Sequence, residues 1–141
     1  MNYKEEAEYR LRLARGFLKE AEQDFQLSRW RSCVDNAQLS AENSGKAIIS
    51  LFEPVEKTHD PAMQLKRLID EKIIPSELRT DLEEVLSFLG EWGFDKHILS
   101  DYGDEIAKRD PWELFSEEDA NEALQTARIC LSKAEKIYEA Y

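Results

Sequence analysis

The chain has 141 residues, 42% of them hydrophobic and 35% charged, a balance that buries one core and leaves a well-solvated surface. Its 5 Gly and 4 Pro leave few interruptions and favour long elements, and no run approaches the roughly 20 apolar residues that a membrane span needs. A formal net charge of -11 disfavours tight, autonomous binding of long RNA or DNA, which depends on neutralising phosphates.

That charge is uneven. Residues 1–31 carry seven Lys/Arg against six Asp/Glu, a net +1, which leaves -12 on residues 32–141. Arg12, Arg15 and Lys19 form a basic stripe through which a local RNA contact stays open. Glu8 and Glu22 flank that stripe, so an ordinary ion-pair ladder also explains it. The N-terminus, Met1 to Glu6, has no apolar stretch of the kind found in a secretion signal, and a cytoplasmic protein without a membrane attachment is expected. The two cysteines, Cys33 and Cys130, form no C-x-x-C pair and fall near apolar stripes, which reads as reduced thiols in or near a core.

Residues 3–27 carry Ala7, Leu11, Ala14, Leu18, Ala21 and Phe25 at alternating spacings of four and three, the period of one helical face. Ser28 breaks this helix and is expected to cap the next. The second helix, about 29–53, repeats the pattern through Trp30, Val34, Ala37, Ala41, Ser44, Ile48 and Leu51, and its small residues admit a close neighbour. Asp60-Pro61 predicts a helix start, with Asp60 accepting a first-turn N–H and Pro61 at the first helical position. A short third helix then runs to about Lys72. Pro75 opens a fourth, with Leu78, Leu82, Val85, Leu89 and Trp92 on one stripe, expected to fray near His97.

From Ile98 to Phe115 the helical period fades, and Tyr102, Trp112 and Phe115 look exposed in a loop long enough to suggest a role. Ser116-Glu117-Glu118-Asp119 makes a capping-box-like start for the last helix. No strand alternation of convincing length occurs. The fold class is all-α: one domain over 1–141, an up-and-down antiparallel bundle of four long helices and one short one.

Enzyme signatures are missing. The chain has no G-x-x-x-x-G-K, G-x-G-x-x-G, H-E-x-x-H or G-x-S-x-G. Its two histidines, His59 and His97, make a His-rich metal site hard to build, and no metal site is expected. Acid-rich residues 77–105 lack Glu-x-x-His spacing and read as a solvated face. Glu42 and Lys46, four apart, read either as a surface ion pair or as the border of a groove. His59 stands just before the Asp60-Pro61 start, where it meets either a ligand phosphate or a backbone group.

Taken together, several segments resemble a known family. Helix 2, from Trp30 to Ala47, resembles the second helix of HEPN domains (higher eukaryotes and prokaryotes nucleotide-binding), in which an early aromatic precedes an A-Q-x-x-A-E-x-x-x-K-A pattern. Lys57-Thr58-His59-Asp60 is similar to the family's Thr-His segment. Ser100-Asp101-Tyr102-Gly103-Asp104, followed by Pro111-Trp112-Glu113-Leu114-Phe115, resembles the late loop that often carries Arg-Tyr-Pro-Asp. The resemblance spans nearly the whole chain in order.

It implies a homodimer, in some members a bound nucleotide or RNA, and often a small nucleotidyltransferase as partner, as in toxin–antitoxin-like systems. On that basis Glu42, Lys46, Thr58, His59, Asp101 and Tyr102 are the candidate ligand or partner site, and a nucleotide is the one ligand implied. Many members are metal-independent ribonucleases that use an Arg followed after four to six residues by a His. Here no Arg precedes His59 or His97 at that distance, Asp101 stands for the usual Arg, and Gly103 stands for the usual Pro. The expectation is therefore a non-catalytic interaction module. The alternative is a ribonuclease with a degenerate site in which Lys46, His59 and Tyr102 converge across a dimer. The resemblance also makes Tyr102 a candidate acceptor for nucleotide transfer, against a plainer reading in which its ring packs on the bundle.

Overall fold

In a computed structural model of the chain, Ala7, Leu11, Ala14 and Ala21 of the first predicted stripe lie buried along α1 (Tyr3–Gln26). The structure describes residues 3–58, 60–89, 99 and 101–141. The end of α1 corrects the reading of Ser28. This residue takes a left-handed conformation (φ 59°), while the Ser28 N–H donates to the Phe25 carbonyl and the Arg29 N–H to the Asp24 carbonyl. That pattern is a Schellman closure of α1, and Ser28 terminates one helix without capping the next.

Helix α2 (Trp30–Ser50) is the central element, buried without interruption from Ser40 to Ser50. It packs against α1 and against the later helices, so residues off its apolar stripe are covered too. Small side chains make that approach possible. A Cβ at Gly45 would stand 2.4 Å from Leu89 Cδ1, too close for any substitution without movement. The buried hydroxyls stay satisfied: Ser40 donates to the Ala14 carbonyl at 2.7 Å and Ser44 to the Ser40 carbonyl at 3.0 Å.

Helix α3 (Ala62–Asp70) begins one residue later than expected. Asp60 accepts the Ala62 N–H at 3.2 Å, and Pro61 precedes the first helical residue. A 3-10 turn, Ser76–Leu78, leads into α4 (Arg79–Leu89). The expected continuation through Trp92 to His97 lies outside the described residues. Helix α5 (Pro111–Leu114) is a single turn capped by Asp110, which accepts the Glu113 N–H at 3.0 Å. Helix α6 (Glu117–Ala140) starts at the predicted capping box of Ser116 and Asp119.

Contacts fix the directions. Asp24 of α1 meets Ser32 and Asn36 while Ala14 meets Ser40, so α1 and α2 are antiparallel. Asp81 of α4 meets Lys133 and Lys136 of α6, whereas Ser87 and Phe88 lie beside Glu122 and Thr126, again antiparallel. The up-and-down bundle follows. Its core contains Leu11, Ile48, Ile49, Leu65, Leu68, Leu82 and Ile137, all fully buried. Each contributes roughly 1.5–3 kcal/mol relative to exposure.

The segment expected as a loop has its own order. Gly103 (φ 73°) allows a tight return in which Asp104 and Arg109 exchange backbone hydrogen bonds of 2.9 and 3.0 Å, and α5 follows. Phe115, read as exposed, is instead 6% exposed and packs with Cys33, Val34 and Leu124 in the core near the α6 N-terminus.

Candidate functional site

The candidate residues fall into two groups. Glu42 and Lys46 sit one turn apart on α2, and Lys46 Nζ lies 3.1 Å from Glu42 Oε2. Their side chains are 6% and 10% exposed, so this is a buried pair and not a surface one. The wrapping of α2 by its neighbours accounts for the difference. Lys46 lines a groove of about 360 Å³ together with Arg10, Val55, Glu56, Lys57 and Thr58. Arg10 and Val55 also line an adjoining groove of about 560 Å³ that includes Tyr9 and Arg12.

The strand of chain on which Thr58 sits is held from below by α3. Buried Gln64 donates to Glu53 at 2.6 Å and to the Pro54 carbonyl at 2.9 Å, and its amide oxygen accepts the Glu56 N–H at 3.0 Å. Arg67 pairs with Glu53 as well, which holds the Glu53 carboxyl below its ordinary value, the Gln64 amide adding to the effect. Thr58 Oγ1 accepts the Asp60 N–H at 3.0 Å, bracing the turn into α3. His59 itself lies outside the described residues, as does His97.

The groove has mixed charge. Arg10 pairs with Glu6 at 3.2 Å, Lys46 with Glu42, and Glu56 adds a carboxylate to the lining. A phosphate entering here competes with fixed carboxylates for each of these two paired cations.

Asp101 and Tyr102 lie elsewhere. Asp101 stands 3.9 Å from Arg31 near the start of α2, and fifteen residues of α2 separate Arg31 from Lys46, about 22 Å along the axis. Tyr102 is 68% exposed, so the reading in which its ring packs on the bundle does not hold. Beside them the Arg31 guanidinium lies over Trp112 at 5.6 Å, and Trp112 is 73% exposed. A cleft of about 550 Å³ is lined by Ser28, Arg29, Trp30, Arg31, Ser32 and Trp112, and Phe25 holds the Trp30 ring edge-on at 5.3 Å. Sequence reading missed this cation–aromatic grouping. The adjacent Trp30-Arg31 pair was its only local signal, because Trp112 reaches it from about 80 residues away.

The basic stripe on α1 is mostly spoken for. Arg12 pairs with Glu8 as expected, but Arg15 reaches Glu135 and Glu22 reaches Arg128, both on α6. The ladder therefore ties helices together where a purely local one was expected. Among the described residues no group of three His, Cys, Asp or Glu side chains is placed to hold a metal ion, and no helix is long and apolar enough to cross a membrane.

Comparison with known proteins bears on what this arrangement is. The HEPN domain matches residues 7–139. No curated protein matches the chain. Among solved structures, that of TT1696 from Thermus thermophilus is similar, with a TM-score of 0.70, 21% identity, and coverage of 93% of this chain and 97% of that one. At that identity the likeness concerns the fold. The domain match, over almost the whole bundle, is the stronger finding: the chain belongs to the HEPN domain family.

Proposed function

We propose that this chain is a non-catalytic HEPN module that forms a homodimer, associates with a nucleotide and acts beside a nucleotidyltransferase, in an arrangement of the toxin–antitoxin kind. The observation that carries the non-catalytic reading is the state of Lys46. Cleaving RNA through its 2′-OH requires a general base near that hydroxyl and positive charge available to the developing phosphorane. Of the three cations that line the groove, Lys46 is buried against Glu42 and Arg10 is held by Glu6, which leaves exposed Lys57 as the third. Cations neutralised in this way have little charge to spare for a charged transition state.

The degenerate ribonuclease requires Lys46, His59 and Tyr102 to converge. The separation of about 22 Å between Arg31, beside Asp101, and Lys46 keeps the two halves of such a site apart within one chain, so the site would have to be assembled across a dimer. Incubating single-stranded RNA with the protein in EDTA tests this. No cleavage is expected, and robust cleavage that disappears in His59→Ala would establish the ribonuclease instead.

Self-association draws support from Trp112 and Tyr102, large aromatics left exposed on an ordered segment, as is common where proteins meet. The same exposure leaves the Tyr102 hydroxyl open to a nucleotidyltransferase. Incubation with that enzyme, Mg²⁺ and labelled ATP, followed by peptide mapping, decides the point. A label on Tyr102 that is absent in Tyr102→Phe establishes it as an acceptor, and an unlabelled map removes that role.

A further inference from the structure

The cleft between Trp30 and Trp112 differs in kind from the Lys46 groove. None of its described lining side chains is buried: Ser28, Arg29 and Trp112 are exposed, and Trp30, Arg31 and Ser32 are partly so. None of them is acidic, in a chain of net charge -11. Its volume of about 550 Å³ falls within the roughly 300–1,000 Å³ of small-molecule sites.

The Trp112 indole is held in place. It sits between two buried neighbours in sequence, Pro111 and Phe115, on a turn that Asp110 caps. The Arg31 guanidinium reaches over the ring from α2 at 5.6 Å, and the residue still remains 73% exposed. Trp30 is fixed in its turn by the Phe25 ring. An indole anchored in this way and left open to water contributes little to folding and offers a flat face for stacking.

The charged groups around the cleft leave one cation over. Arg31 is engaged by Asp101 at 3.9 Å, and Asp35, one turn later on α2, is engaged as well. At the end of α1, buried Asp24 accepts from Ser32 at 2.8 Å and from Asn36 at 2.9 Å, and Glu22 pairs with Arg128. On the segment that carries Trp112, Arg109 pairs with Glu113 at 4.0 Å, and Asp110 accepts the Glu113 N–H. Arg29 lines the cleft, is exposed and makes no ion pair with a described residue. In the Lys46 groove Lys57 is the comparable cation, but among the described residues no Phe, Tyr or Trp lines that groove beside it. A flat aromatic face and an uncommitted guanidinium in one cleft match a ligand that is both planar and anionic.

We propose that this cleft binds a nucleobase carrying a phosphate, with the base stacked on Trp112 and the phosphate met by Arg29. Arg31, held by Asp101, positions the indole. That chemistry is shared by a free nucleoside monophosphate and by the phosphorylated end of an RNA strand. The proposal rests on the nucleotide association proposed above and assigns it to the start of α2, where Arg31 stands about 22 Å along the helix from Lys46.

The test is isothermal titration of the full chain with AMP, with adenosine and ribose 5-phosphate as its two halves, and with a 5′-phosphorylated tetraribonucleotide. Trp112→Ala, Trp112→Phe, Arg29→Ala and Lys57→Ala are compared with the wild type, and circular dichroism verifies folding. All the altered side chains are exposed, so each variant is expected to fold. AMP should bind more tightly than either half. Trp112→Ala should weaken it about tenfold, and Trp112→Phe should restore most of the loss. Arg29→Ala should weaken it and flatten its dependence on salt. Tighter binding of AMP than of the tetraribonucleotide identifies a free nucleotide as the ligand, and the reverse identifies an RNA end. Because Trp112 also supports self-association, sedimentation equilibrium on Trp112→Ala separates its two uses. Lost nucleotide with an unchanged assembly supports the cleft, and loss of both together overturns it in favour of an interface. Binding that survives Trp112→Ala, or that only Lys57→Ala removes, overturns the cleft while the nucleotide association stands. A wild type that binds neither phosphorylated probe at millimolar concentration overturns both.

Discussion

Removing Glu42 while keeping Lys46 tests the most unexpected feature of the groove. In Glu42→Ala the Lys46 ammonium, in a side chain only 10% exposed, loses the carboxylate 3.1 Å away. Stranding one member of a buried pair costs about 3–5 kcal/mol, whereas replacing both members by apolar residues of similar volume is often neutral. Lys46 keeps some contact with water at the groove, which places the expected loss at the lower end, about 3 kcal/mol. For a domain of this length that corresponds to a fall in Tm of roughly 10 °C. The double variant Glu42→Leu/Lys46→Met should unfold within about 1 kcal/mol of the wild type, because no charge is left stranded. Urea unfolding followed by far-UV circular dichroism measures all three proteins. A Glu42→Ala loss below about 1 kcal/mol, the value of an exposed pair, would refute the burial argument. So would a double variant as unstable as the single one.

Three further outcomes follow from particular contacts. Gly103→Ala places a Cβ 2.4 Å from the Arg109 carbonyl oxygen at a residue with φ 73°, and backbone cannot rotate away as a side chain does. Loss of about 2 kcal/mol of local stability is expected, visible as faster hydrogen exchange at the Asp104 and Arg109 amides; unchanged protection there would contradict it. Lys133, with Lys136 second, holds the Asp81 carboxyl below its ordinary value of 3.8. A lowered folded value means that its stabilising contribution is present above that ordinary value and is lost as pH falls through the folded one. Acid unfolding below about pH 4 should therefore be shallower in Asp81→Asn, measured as Tm against pH, and parallel acid limbs would count against the α4–α6 tie. Burial, with Asp24 adding for Cys33 and Glu84 for Cys130, pushes both thiols up to about 12. Neither should react with a disulfide reagent at pH 8 until urea unfolds the chain, and prompt reaction of the native protein would show that the thiols are accessible.

The helices were legible where one face carries the signal. The four-and-three spacing on α1, the small-residue stripe of α2 and the Ser116 capping box all recur in the structure because each depends on neighbours within a turn or two. Ser28 shows where local reading fails. A serine between two helices suits a cap, yet it also tolerates the left-handed closure of the preceding helix, and tertiary packing of α1 on α2 decides between them. Glu42 and Lys46 fail differently. Their spacing predicts the pair but not its burial, since four apart looks the same on a surface helix and on one wrapped by its neighbours. Only the run of small and polar residues around Gly45 hinted that α2 has no exposed face in that stretch.

The candidate site was legible by half. Lys46 and Thr58 share a groove because the chain returns from α2 to α3 over a short connection pinned by Gln64, and a twelve-residue separation keeps them near. Asp101 and Tyr102 belong with Arg31 and Trp112, a grouping assembled by three distant segments that no local pattern announces.

Native mass spectrometry of the protein isolated with its partners from its own source tests the central claim most directly. An assembly containing two copies of the 16.4 kDa chain together with a nucleotide-transferring protein is expected. A lone 16.4 kDa species with neither a second copy nor such a partner would contradict it.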